Sequence, residues 1–240
     1  MTIKEIYDFL NNLSPFELQE SWDNSGLLLG DFSQEITKIA LSIDVDESQI
    51  DALEDNTLLI THHPIIFGGL KQLEFSKYPA NLIQKMIKKN ISNIAMHTNF
   101  DQTHLNEFVA TQILGYGVAQ KDGFVAYLDV NEDFDVFAKK VSAAFGLKNA
   151  KCVKCNSYVK RVALTTGSGC SLMKSVSADC FLTGDVKYHD AMEAKSMNLS
   201  LIDIGHYESE HFFAQILEKH LKNLGLEVII ASSENPFTYI

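Results

Sequence analysis

The sequence predicts an α/β protein of two packed lobes, each built on a mixed, mostly parallel sheet with flanking helices. Short apolar runs rich in branched residues alternate along the chain with longer runs of helical hydrophobic period. A chain of 240 residues can also bury a large core without disulfides. Gly115 and Gly117 separate this alternating pattern of strands and helices into two halves. We therefore expect one lobe at residues 1–117 and a second at 118–240, from which the segment at about 199–240 can return to the first lobe.

Helices are predicted where apolar residues recur at helical spacing behind a capping residue. Thr2 caps the first, and Asp46 opens a short second one with acidic residues where the helix dipole favours them. The other expected helices cover residues 78–89, 104–114, 133–145, 170–176, 188–197 and 208–224. Strands are expected at apolar runs of strand length, which cover residues 36–45, 57–60, 91–96, 123–130, 150–153, 161–165, 180–183, 199–204 and 227–231.

The charge balance excludes several classes of partner. The formal net charge is −11, so the chain lacks the basic surface from which nucleic-acid binders take their affinity. The same charge argues against docking on anionic lipid. No run approaches the roughly 20 apolar residues of a membrane span, and no apolar signal core follows the N-terminus. We expect a cytoplasmic protein with a small-molecule substrate.

Two clusters of metal-ligand residues follow predicted strands in the first half. His62 and His63 end the strand at 57–60, and Pro64 holds His63 in an extended conformation. At a strand end, two adjacent histidines can diverge to serve two neighbouring ions; the alternative is that both flank a turn. His97 and Asp101 follow the next strand. Asp101 is a hard ligand for a divalent ion, or else a helix cap, and His97 is a ligand or a residue that orients one.

A third cluster follows the strand at 199–204. His206 and Glu210 are four residues apart and share one face if a helix begins near Gly205. Such a pair can hold a divalent ion; the alternative is a charged first turn that the helix dipole favours. Three clusters at strand ends predict a metal site, because ligands of open α/β sheets lie at the carboxyl ends of strands. The imidazole and carboxylate ligands suit Zn²⁺, Mn²⁺, Fe²⁺ or Ni²⁺.

Two further segments are open to more than one interpretation. Thr166 to Gly169 lies between a strand and a helix, so its amides could receive a phosphate or simply form a tight turn. Asp185 and His189 could place a polar group or proton carrier beside the metals, or cap the helix that follows. His97 and His189 are the candidate proton carriers, since imidazole titrates near neutrality.

Five short sequence motifs occur in the same order as in one protein family. They cover residues 21–27, 61–64, 97–101, 183–189 and 205–210. From about Ile3 to Pro236, the chain resembles the short form of the NIF-three-like (YbgI-like) family, whose members are often named GTP cyclohydrolase 1 type 2 homologs. The resemblance implies a dinuclear metal site between two lobes. One ion would be held by His62 and Asp101, the other by His63 and His206, with Glu210 touching both. It also implies a ring-shaped homohexamer.

Three functions are compatible with these residues. In the first, metal-activated water opens the guanine imidazole ring of GTP, giving formate and dihydroneopterin triphosphate. In the second, the same centre hydrolyses a phosphoester or a damaged nucleotide, since two ions also suit in-line displacement at phosphorus. In the third, the protein binds metal or a partner without turnover.

Overall fold

The computed structural model describes residues 1–231 and 233–238. Its helices are α1 Ile3–Leu13, α2 Glu47–Ala52, α3 Ala80–Lys88, α4 Thr98–Phe100, α5 Asn106–Phe108, α6 Phe134–Ala144, α7 Tyr188–Ser196, α8 His206–Glu210 and α9 Phe213–Leu221. Its strands are β1 Gly26–Leu29, β2 Lys38–Ser42, β3 Thr57–Thr61, β4 Ser92–Ala95, β5 Val118–Asp122, β6 Val125–Asp133, β7 Cys152–Val153, β8 Tyr158–Leu164, β9 Cys180–Thr183, β10 Ser200–Asp203 and β11 Glu227–Ile230. None of the helices in these two ranges has the length and hydropathy that a membrane span requires.

The chain forms two compact units, Met1–Phe100 with Phe212–Ile240 and Asp101–His211. This division differs from the expected boundary at residues 117 and 118, although the last helix and strand do belong with the first unit. Whether the segments 1–117 and 118–240 fold as domains stays a prediction.

The first unit is built on a five-stranded sheet in the order β1-β4-β3-β2-β11. All of its pairings are parallel except that of β1 with β4. Ala40 and Leu59, from adjacent strands, pack with Ile83 and Met86 of α3 in a buried core. Thr2 caps α1 and Asp46 caps α2, each through a reciprocal capping box, as the sequence predicts.

The second unit is built on a six-stranded sheet in the order β5-β6-β8-β9-β10-β7. Here β8, β9 and β10 pair in parallel, whereas the other three pairings are antiparallel. Tyr127, Phe181 and Leu201 are buried in its core. The α/β class with two mixed sheets is therefore confirmed, and parallel pairing dominates only the first sheet.

Three predicted elements differ from the structure. Residues 170–176 contain only a single 3₁₀ turn, Cys170–Leu172. The helix expected at 208–224 begins at His206, because Gly205 turns the chain with a positive φ of 76°, and it is broken before α9. The helix expected at 104–114 starts already at Thr98, so Asp101 lies inside the helical stretch and does not cap it.

Candidate metal centre

Three histidines lie at the carboxyl edge of the first sheet. The strands β2, β3 and β4 run parallel, so the residues that follow them meet at one edge. The backbone amides of His62 and His63 continue the pairing past β3 by donating to Ser42 and Ile43 (3.1 and 2.8 Å). Met96 does the same past β4, by donating to the Thr61 carbonyl (2.9 Å). His97 is thereby brought beside the pair.

The three imidazoles are close enough to share an ion. Each offers one nitrogen, and the three nitrogens lie within 4.8 Å of one another. The ring centroid of His62 lies 5.1 Å from that of His63 and 5.2 Å from that of His97. His62 is fully buried, whereas His63 and His97 are partly exposed.

Each of these rings is held through its Nδ1 atom. The Nδ1 of His62 lies 2.9 Å from the carbonyl oxygen of Met96. His63 and His97 present Nδ1 to carboxylates, at 2.8 Å from Asp44 Oδ1 and 2.8 Å from Asp23 Oδ1. Because these partners accept hydrogen bonds, Nδ1 carries the proton and Nε2 carries the lone pair. This arrangement fixes metal-binding histidines in many proteins, since it orients the ring and raises the basicity of Nε2.

We expect Asp44→Asn to weaken metal binding about 10- to 100-fold, because the carboxylate would no longer orient His63 or raise its basicity. The measurement is the dissociation constant of Zn²⁺ or Mn²⁺ by competition with a chelating dye. Asp51→Asn is the control, since Asp51 is an exposed carboxylate of the same unit that pairs with Lys85. Equal affinities for both variants would contradict the assignment of Asp44.

Asp23, which holds His97, is more deeply buried than Asp44, which holds His63. Its side chain is fully buried and accepts hydrogen bonds from the amides of Asn24 and Thr98 and from the hydroxyls of Ser25 and Thr98. Burial alone would raise the pKa of Asp23, but the hydrogen bonds of His97, Thr98 and Asn24 outweigh it and hold that pKa well below its usual range. Asp23 is therefore a fixed anion behind His97.

The second unit carries buried acidic side chains at the corresponding edge of its own sheet. Asp101 is 6% exposed and accepts a hydrogen bond from the hydroxyl of Thr166, which follows β8 (3.3 Å). Glu210 is 2% exposed, and its Oε2 lies 3.0 Å from Nε2 of His206, which follows β10. The structure therefore places His206 and Glu210 on one face of α8, as the sequence predicts.

Gly167 leaves room for the Glu210 carboxylate. Its φ is +63°, and a Cβ at this position would lie 2.0 Å from Glu210 Oε1 and 3.6 Å from His206 Nε2. Any side chain at residue 167 would therefore displace the carboxylate. Imidazoles and carboxylates with this packing fit a divalent ion such as Zn²⁺, Mn²⁺, Fe²⁺ or Ni²⁺.

His206 lies between two carboxylates. Its Nδ1 is 2.7 Å from Asp185 Oδ2, and Asp185 adopts a left-handed backbone conformation with a φ of 56°. Burial alone would lower the pKa of His206, but hydrogen bonds and charge from Glu210 and Asp185 outweigh it and raise that pKa to about 10. Without an ion, the imidazole thus holds the second proton that a metal would displace.

We expect metal binding to release a proton from His206 at neutral pH. The raised pKa keeps the metal-free imidazole protonated below about pH 10, so affinity should increase as pH rises from 6 to 9. Calorimetric titration with Zn²⁺ in buffers of different ionisation enthalpy measures the released protons. Asp185→Asn should reduce their number at pH 8, because one of the two carboxylates that raise the pKa is then neutral. A proton count of zero at pH 7 would contradict this expectation.

The loop from Thr166 to Gly169 is a tight turn whose amides are used inside the unit. The amide of Thr166 donates to Asn106, that of Gly167 to the Ser209 hydroxyl and that of Gly169 to the Thr183 hydroxyl. These contacts favour the turn over a phosphate cradle.

His189 lies exposed at the start of α7, where its ring packs edge-on against Tyr188. Its role as a proton carrier stays a prediction. Sequence reasoning gave no role to Asp23 or Asp44. Asp44 lies inside the strand predicted at residues 36–45, but the structure ends β2 at Ser42, which places Asp44 at the same sheet edge as the histidines.

The family model described as Duf34/NIF3 (NGG1p interacting factor 3) matches residues 1–236. A protein of Campylobacter jejuni named GTP cyclohydrolase 1 type 2 homolog is 50% identical over the whole of both chains. A Helicobacter pylori protein named GTP cyclohydrolase 1 type 2 is 43% identical over 99% of each. A solved hypothetical protein of Staphylococcus aureus has a TM-score of 0.86 at 25% identity, covering 100% of this chain and 99% of the other. The chain therefore belongs to the Duf34/NIF3 family.

Proposed function

We propose that the protein is a hydrolase that uses two divalent ions to act on a nucleotide. In this proposal, His62 and Asp101 would hold one ion and His63 and His206 the other, and Glu210 would contribute to both. The chain itself supports this grouping: Asp101 directly follows Phe100, and Glu210 precedes Phe213 by three residues. Phe213 packs on Phe100 and on His62, at 5.0 and 5.1 Å between ring centroids.

The proposed reaction opens the imidazole ring of the guanine of GTP. One water adds at C8 and opens the ring to a formamide, and a second water hydrolyses this formamide to formate and a free amine. The ribose then opens and rearranges, and closure of the new ring with loss of one water gives dihydroneopterin triphosphate. Bound divalent ions supply a water of lowered pKa and polarise the ring. His97, whose ring is held by Asp23, takes and returns the proton of the attacking water, as a general base and acid must. Asp44 and Asp185 keep His63 and His206 oriented throughout.

The observation that carries the proposal is the trio of histidines, each with Nδ1 held by an acceptor. Three rings that each bring a nitrogen within 4.8 Å of the others are more than a structural turn requires, and their orientation suits metal ligation. The names of the Campylobacter jejuni and Helicobacter pylori relatives then favour GTP as substrate.

The test is incubation of Mn²⁺-, Zn²⁺- or Fe²⁺-loaded protein with GTP, followed by oxidation and detection of a fluorescent pterin. We expect product from the wild type, loss of product in His62→Ala and unchanged product in His220→Ala, an exposed histidine of α9. Absence of pterin with every metal would reject the cyclohydrolase reaction.

A second candidate is phosphoester hydrolysis, favoured by the hard carboxylates of Asp101 and Glu210. A panel of phosphoesters and nucleotides, assayed with the same loaded protein, separates it from the first. Metal binding with no turnover of any of them, or a rate that His62→Ala and Glu210→Ala leave unchanged, would favour a metal-binding or partner-binding protein.

We propose that the assembly is a cytoplasmic ring-shaped homohexamer, which rests on the family resemblance. Light scattering during size-exclusion chromatography should then give a mass near six times the 26.8 kDa of one chain. A monomer at micromolar concentration would reject the hexamer.

A further inference from the structure

An exposed pair of aromatic side chains lies beside the histidine trio. Trp22 and Phe67 are each 54% exposed, and their ring centroids are 5.8 Å apart. Both rings are 6.1 Å from the ring of His97. Large aromatic rings are normally buried, so two adjacent exposed ones mark a surface that takes a ligand or a partner.

The backbone on both sides of this aromatic pair is tightly held. Asp23, next to Trp22, is the buried anchor of His97. Asn24 donates from its side chain to the carbonyl of Ile66, next to Phe67, at 2.6 Å. Hydrogen bonds therefore join the two segments to each other and the first segment to His97. We call the pair Trp22 and Phe67 the aromatic platform, because its backbone is fixed on both sides.

We propose that Trp22 and Phe67 stack the planar heteroaromatic base of the substrate and place it against His97. Stacking on aromatic side chains is the usual way in which proteins hold a purine without reading its phosphates. The platform lies beside His97, which is itself a member of the histidine trio. A base stacked there would be the part of the nucleotide nearest to the trio, and the phosphates would extend away from it. This orientation suits attack at C8 and disfavours phosphoester hydrolysis. The inference deepens the proposed function and rests on it only for the reaction that follows binding.

Trp22 is the single tryptophan of the chain, so its fluorescence reports on its own surface. The experiment titrates chelator-treated protein with guanosine and inosine, excites at the red edge of tryptophan absorption and corrects for absorbance. We expect saturable quenching by both nucleosides and no change with ribose 5-phosphate or inorganic tripolyphosphate. Phe67→Ala should weaken guanosine binding about tenfold, consistent with the loss of one stacking partner. Phe75→Ala, an exposed aromatic of the same connecting segment, should leave it unchanged.

The Trp22 variants lack the fluorophore, so their affinity for guanosine is measured by isothermal titration calorimetry. Trp22→Phe should retain most of the affinity for guanosine, whereas Trp22→Ala should lose about tenfold. Three outcomes would overturn the inference: no quenching by either nucleoside, equal quenching by the phosphates, or fluorescence that changes only with protein concentration, which would assign the surface to a second copy of the chain. Because the titration contains no metal, base binding without pterin formation would reject the cyclohydrolase reaction alone. Pterin formation without quenching would reject the platform alone.

Discussion

Gly167→Ala is expected to abolish tight metal binding while the protein remains folded. The added Cβ would lie 2.0 Å from Glu210 Oε1, so the carboxylate has to leave its place beside His206. The positive φ of +63° adds a backbone cost of about 1–2 kcal/mol, which a domain of this size tolerates. The measurements are metal content by elemental analysis and the midpoint of thermal unfolding.

Gly146→Ala is the matched control for this substitution. Gly146 has a φ of +65°, and nothing lies within 4 Å of a Cβ built there. The control therefore carries the same backbone strain without the collision. If both variants lost stability equally and both retained metal, Glu210 would not be a ligand.

Asp23→Ala is expected to produce the largest loss of stability among single substitutions at the site. The substitution would leave the imidazole of His97 and the amide and hydroxyl of Thr98 without their buried acceptor. Each buried donor left without an acceptor costs about 1–3 kcal/mol. Asp8→Ala, which removes an exposed carboxylate paired with Lys4, should cost at most about 1 kcal/mol. Urea unfolding monitored by circular dichroism measures both.

The pH dependence of this loss has a definite sign. Because the pKa of Asp23 is lower in the folded protein than in the unfolded chain, its contribution is complete above pH of about 5 and is lost as pH falls below about 4. The difference in unfolding free energy between wild type and Asp23→Ala should therefore be constant from pH 5 to 7 and shrink in more acidic solution. A difference that grows with acidification would contradict the role given to Asp23.

The sequence predicted those helices and strands whose signals lie within a few residues of each other. The caps at Thr2 and Asp46 are chosen by residues within three positions, and β3 and β9 are continuous apolar runs. The strands that sequence reasoning missed lie at sheet edges. β1 is only four residues long, and β5 is mostly exposed, with Gln120, Lys121 and Asp122 in place of an apolar run. Their pairing partners, β4 and β6, determine that they are strands.

The same distinction holds for the candidate site. His62, His63 and His97 could be found because they directly follow apolar strands, and the parallel sheet then brings them together. Their anchors could not be found in this way. Asp23 is distant in sequence from His97, and only the folding of its loop against β4 makes the contact. The acceptor for His62 is a backbone carbonyl, which carries no sequence signal at all.

The most direct test of the metal centre is elemental analysis of protein purified without chelators or added metal. We expect close to two equivalents of divalent metal per chain in the wild type and close to none in Glu210→Ala, with both proteins showing the same far-ultraviolet circular dichroism. A wild type that holds no divalent metal even after supplementation, or a Glu210→Ala variant that still holds two equivalents, would contradict the proposed centre.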